Sequence, residues 1–154
     1  MASQAVMPDG QLRFKPRSWW LPLTYRPKIC PVRLGKIRQT IRPGVKYMVG
    51  DQVAFHGWEG APYRSQWSFR TSLMPLTEAL AVTVTRKGMI FPHHSSPRHG
   101  LVSNGLYSWR HPLVHQIARL DGIDPADGEE LGRLLLGMYV IEGRDARPFQ
   151  IIRW

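Results

Sequence analysis

One cysteine, Cys30, is all that this 154-residue chain contains. No internal disulfide can form, and a reducing, intracellular setting is the expectation. Acidic residues are scarce, 11 Asp and Glu against 21 Lys and Arg, for a formal charge of +10. No run approaches the roughly 18 apolar residues of a membrane span, so no membrane association is expected. Residues 1–15 lack a basic start followed by an apolar core, so no secretory leader is expected. Repeats and low-complexity segments are absent from the sequence too. What is there is a hydrophobic fraction of 43% with 10% aromatics, enough for the core of one ordinary domain and too apolar for a disordered tail.

The positive charge is segregated. Residues 1–70 hold 12 Lys and Arg against 3 acids, whereas residues 71–154 hold 9 against 8. An imbalance confined to one half is the footprint expected of a protein that meets polyphosphate. Its densest part is Leu34–Asp51, where Lys36, Arg38, Arg42 and Lys46, preceded by Arg33, surround a single threonine, Thr40. Arg42-Pro43-Gly44 predicts a turn, because Pro fixes φ and Gly permits φ > 0. Cations and a hydroxyl beside the mouth of a strand suit a phosphate or a nucleotide.

The same residues resemble a known family. Gly35, Thr40-Ile41-Arg42 and Val49-Gly50-Asp51 look like the signature of the ASCH domain, and Leu120-Asp121-Gly122-Ile123 resembles that family's "DGF" segment. The terminal stretch Pro148–Trp154 is similar to its last strand, so the resemblance spans roughly residues 14–154. It implies a small PUA-like, mostly antiparallel β-barrel, RNA binding and, in some members, hydrolysis. Members acting on an acetylated cytidine use a Lys, a Thr and a carboxylate around a cleft; others are assigned ribonuclease activity. Carried over, the threonine falls on Thr40 and the acid on Asp121, an Asp where the hydrolases carry Glu. The lysine, three residues before the threonine, falls on Ile37, a departure from the pattern; Lys36 and Arg38 flank it, and on a strand those neighbours point to the opposite face.

Periodicity gives a compatible α+β reading. Residues 1–11 are expected to be a loose arm and residues 12–154 a single domain. Leu12-Arg13-Phe14 suggests a short first strand, and the three prolines of Lys15–Pro27 argue against a regular helix there. Lys28–Lys36 is expected to form a short helix or turn with Val32 and Leu34 facing the core. Gln52–Trp58 and Gln66–Phe69 predict a β-hairpin, and alternating Leu80–Thr85 a further strand. His111–Leu120 reads as a helix, with Pro112 at its first position and an apolar stripe at Leu113, Ile117 and Leu120. Asp124 is expected to cap the next helix, which buries Leu131, Leu134, Leu135 and Met138. Phe149–Trp154 closes the sheet. These segments make about five or six strands and two or three flanking short helices.

Two clusters interleave aromatic rings with cations, as single-stranded nucleic acid requires, because bases stack while phosphates pair. One holds Trp19, Trp20 and Tyr25 among Lys15, Arg17, Arg26 and Lys28, with one tryptophan expected inward and one partly exposed. The other holds Tyr63, Arg64, Trp67 and Arg70. The expected nucleic-acid contacts are therefore Arg17, Trp19, Arg38, Arg42, Lys46, Arg64, Trp67 and Arg70. Thr40, Asp121 and Lys36 are the candidates for chemistry. Histidines 93, 94, 99, 111 and 115 lack supporting Cys or carboxylate neighbours, and Cys30 has no nearby base, so no metal, no cofactor and a structural cysteine are expected. The expected function is a nucleic-acid-binding module, RNA preferred, with a cleft for a nucleotide or modified base. The alternatives are a ribonuclease or N4-acetylcytidine amidohydrolase, and a protein that grips an acidic partner protein.

Overall fold

The computed structural model describes residues 15–58, 60–91, 105–123, 126–138 and 146–154, with the strand backbones at 5–6 and 12–13. The side chains at 67, 68 and 138 and the histidines at 93, 94 and 99 lie outside the described residues. The architecture is α+β, with two main sheets and three helices among those residues.

The first sheet is antiparallel throughout. Its order is β10 (Leu106–Ser108), β9 (Gly88–Ile90), β8 (Glu78–Thr85), β11 (Ala146–Arg153) and β4 (Gln39–Pro43). The second joins β3 (Ser18–Pro22) in parallel to β5 (Gln52–Trp58), which pairs antiparallel with β6 (Trp67–Arg70) and β7 (Met74–Pro75). A small pair, β1 (Ala5–Val6) with β2 (Leu12–Arg13), puts strand structure inside the expected arm. The chain passes between the main sheets at Leu76 and Thr77: Leu76 N–H donates to Asp51 O and Thr77 N–H to Arg153 O. Val53–Phe55 thus lies in one sheet, and Leu80–Thr85 and Phe149–Ile152 in the other, where one barrel was expected.

The reason is visible in β11. Alternate side chains of a strand face opposite ways, and here both faces are buried. Phe149 and Ile151 join Ile41, Val82 and Val84 under the apolar faces of α2 (Pro112–Leu120) and α3 (Gly128–Met138). Ile152 and Trp154 join Val53, Phe55, Phe69, Leu21 and Tyr47 on the other side. Each fully buried Phe or Ile contributes about 1.5–3 kcal/mol. The five-stranded sheet is therefore the middle layer between helices and the smaller sheet.

Local chemistry explains the element ends. In α1 (Arg26–Arg33) Pro27 sits in the first turn, where no amide donor is required, and Val32 is buried. Leu34 instead caps the helix and is exposed, contrary to expectation. His111 caps α2 by accepting from Leu113 N–H, and His115 Nδ1 accepts from Gly128 N–H, so both histidines serve backbone. Asp127 caps α3, its Oδ1 accepting from Glu129 and Glu130 N–H. Asp124, expected in that role, lies outside the described residues.

Candidate functional site

A cavity of about 320 Å³ opens where the free edge of β4 faces the end of β3 and the start of α1. Thr40 and Arg42 line it from β4, Lys28 from α1 and Asp121 from the end of α2, while Leu131, Leu134 and Leu135 of α3 supply an apolar wall. The alternation of β4 selects the first pair. Gln39 and Ile41 turn toward the helices, where Gln39 Nε2 donates to Ile117 O and Ile41 joins the core. Thr40 and Arg42 turn the other way. Arg42 Nη2 spans the gap and donates to Pro22 O at 2.7 Å.

Asp121 is aimed by the way α2 stops. It is the C-cap, followed by Gly122 at φ 91°. Ile123 N–H reaches back to Ala118 O and Gly122 N–H to Arg119 O, the paired bonds of a Schellman ending. A side chain in place of that glycine would be strained and would stand 3.5 Å from the Lys28 stem and from Ile37. The turn brings the Asp121 carboxylate to 2.8 Å from Lys28 Nζ, with the two side chains 15% and 4% exposed.

Burial governs the electrostatics of this pair. Desolvation lowers the Lys28 pKa, opposed by the charge and hydrogen bond of Asp121, and Arg42 lowers it further. Desolvation likewise raises the Asp121 pKa, against the opposing pull of Lys28, Arg42 and Gln39. Each group is thus pushed toward its neutral form and toward the neutral pH range where acids and bases trade protons. His56, buried on β5 near Arg42 and Arg70, is held below its ordinary pKa by desolvation and then by those charges.

The structure brings Thr40, Arg42 and Asp121 to one cavity, with Lys28 as a fourth member that sequence reasoning missed. One signal for it existed. Lys28 lies four residues before Val32, on the buried stripe of α1, where a cation needs a partner. Lys36, the candidate substitute amine, is exposed after the helix, outside the cavity wall, and Ile37 packs into the second core.

The nucleic-acid candidates scatter. Arg17 and Arg64 are exposed, and Arg38 is exposed with its Nε donating to Gly35 O. Lys46 lies over the rings of Trp19 and Tyr47 at 5.4 and 5.3 Å. Trp19 is half-buried and its Nε1–H donates to Asp51 at 2.9 Å, so this ring is anchored rather than presented. Trp20 is the exposed one, at 42%, and the Arg70 guanidinium stacks 3.7 Å from its ring centre. The Trp67 side chain lies outside the described residues. Cys30 is exposed rather than packed in the core. Among the described residues no cluster of three or more metal-ligating side chains occurs, and no helix is long and apolar enough to cross a membrane.

Comparison with known proteins adds no relative: no family model, no curated protein and no solved structure matches the chain.

Proposed function

We propose that the cavity beside β4 binds one nucleobase or nucleoside, normally presented by RNA, in an ASCH-type, PUA-like module. The observation that carries the reading is the cavity itself, which gathers a hydroxyl, a guanidinium and a buried Lys–Asp pair against an apolar wall. Such a volume is at the small end of ligand pockets, and few polar groups on an apolar lining are what orient a planar heterocycle. The basic half supplies long-range attraction for phosphates. A small PUA-like barrel is part of the same proposal. It is supported by the Arg42–Pro22 bond across the cavity and by the continuous run from β7 into β8.

Lys28 favours a second reading, amide hydrolysis at the same cavity. The Ile37 departure removes one amine, and Lys28 brings another to the cavity that holds Thr40. A desolvated amine can accept the Thr40 proton as Oγ1 attacks an amide carbon. Asp121, once protonated, can donate to the nitrogen as the C–N bond breaks, and water then hydrolyses the ester.

Calorimetric titration with the four nucleosides, N4-acetylcytidine, single-stranded RNA, duplex DNA and an acidic protein tests the first reading. Nucleoside and RNA binding that Lys28→Met or Thr40→Ala weakens at least tenfold is expected. Binding to the acidic protein alone would overturn it. Chromatographic release of cytidine from its N4-acetyl form, lost in Thr40→Ala and in Lys28→Met, would establish hydrolysis; turnover unaffected by both would exclude this site.

A further inference from the structure

A second pocket, about 310 Å³, adjoins the first. The two share Leu23 and Thr24 in their walls, so they are contiguous along the β3–α1 connection. Tyr63 lines the cleft and Trp58 lines the second pocket. Their rings are in tilted contact, with centres 4.4 Å apart at 45°, so one ring of the pair lines each space.

Both rings are held there by features with a local cost. Tyr63 is 71% exposed and has φ 64°, in the left-handed region that a bulky side chain disfavours. Its loop is tied by Ser65, whose Oγ accepts from Gly60 N–H and donates to Ala61 O. Trp58 stands at a register shift between β5 and β6, where Gly57 pairs with Phe69 and Trp58 with Trp67. Beside it, Gly57 leaves room for the Phe69 ring, which a side chain there would run into. Exposed Arg26 and the Thr24 hydroxyl also line the second pocket, and no carboxylate does among the described residues. An aromatic wall, a cation and a hydroxyl are what a phosphate-linked base requires.

We propose that this pocket holds the nucleotide adjacent to the one in the cleft, its base on Trp58 and its phosphate near Arg26, so that the natural ligand is a strand rather than a free nucleoside. The proposal rests on the base-binding reading of the cleft. It assigns that reading a polymer substrate and makes Trp58 and Tyr63 the residues that separate successive bases.

The test compares the four nucleosides with the corresponding homodinucleotides by calorimetric titration of the full chain and its variants. Wild type is expected to bind the preferred dinucleotide about tenfold to a hundredfold tighter than its nucleoside. Trp58→Ala should abolish that gain, with an unchanged thermal melting transition verifying folding. Trp58→Phe should retain most of it. Arg26→Ala, on an exposed side chain, should reduce the gain and flatten its salt dependence. Equal wild-type affinity for nucleoside and dinucleotide would overturn the strand proposal while the base-binding cleft stands. A gain that survives both Trp58→Ala and Arg26→Ala would overturn the assignment of this pocket. Failure of every nucleoside and dinucleotide to bind would overturn the cleft reading and this proposal with it.

Discussion

Asp51 and Asp121 are both largely buried aspartates, each in a segment that carries the family resemblance, and their surroundings differ in kind. Asp51 accepts three hydrogen bonds, from Arg17 N–H, Trp19 Nε1–H and Met48 N–H. All three donors are neutral, and together they clip the β3 entry to the loop before β5. Asp121 faces one ammonium across the wall of a cavity, and both partners are shifted toward neutrality by burial. Burial alone therefore does not mark an acid as functional. What distinguishes Asp121 is a partner that can itself titrate and an opening beside it for a third party.

Replacing the Lys28–Asp121 pair should sharpen the contrast most. The double variant Lys28→Met/Asp121→Leu is expected to lose nucleoside affinity by about a hundredfold or more, since charged contacts to a desolvated ligand are worth roughly 2–5 kcal/mol. Its stability in urea should be unchanged or higher by about 1–4 kcal/mol, because a well-packed apolar pair avoids desolvating two charges. A large loss of stability would make this pair a strut like Asp51 and erase the distinction.

Asp51→Ala should do the reverse. Three donors are left without their acceptor, which is expected to lower stability by about 3 kcal/mol, with each unsatisfied buried group costing roughly 1–3 kcal/mol and partial access of water limiting the total. Nucleoside affinity of the folded fraction should stay as in wild type. A folded Asp51→Ala protein that no longer binds would connect the clip to the site.

The pH dependence tests the Lys28–Asp121 pair directly. Asp121 titrates above its unfolded value of 3.8 when folded, so its contribution to stability is fully present below 3.8 and is lost as pH rises through the folded pKa. Lys28 titrates below 10.5 when folded, so its contribution is present above 10.5 and is lost as pH falls through its folded pKa. Both contributions are reduced at pH values between 3.8 and 10.5. The stability advantage of the double variant over wild type should therefore peak inside that window and shrink toward 3.8 and 10.5. A flat difference across urea melts at several pH values would show that the pair keeps ordinary pKa values.

The smallest expected effect concerns the exposed cations. Arg38, Arg64 and Arg70 belong to neither buried acid. Replacing all three by Ala should make the slope of log K against log[salt] for single-stranded RNA shallower, by about 0.7 for each phosphate that is no longer neutralised. Nucleoside affinity should not change. An unchanged slope would move the phosphate path to other residues, Arg26 first among them.

Local pattern was enough for much of this. The strands at Gln52–Trp58 and Leu80–Thr85, the hairpin between β5 and β6, and the leucine stripe of α3 were all legible, because each signal lies within one segment. The position of Asp121 at the end of a helix was legible for the same reason: the Asp-Gly pair that follows the apolar stripe is a local stop signal. The separation into two sheets was not, since β11 alternates between two cores and a strand buried on both faces does not announce which partner covers which side.

The sequence by itself determined the charge bias and the α+β class, consequences of composition and period; Arg42 and Pro43, expected in a turn, belong to strand β4, and only the structure put Thr40 and Arg42 on one face of it. Only the tertiary structure decided which amine meets Asp121. Lys28 lies far earlier in the chain and sits on a separate helix. Its approach depends on the left-handed turn at Gly122 and on Ile37 filling the space beside its stem. A motif written around the threonine points to position 37. The folded chain, where proximity comes from packing rather than spacing, puts the ammonium at 28.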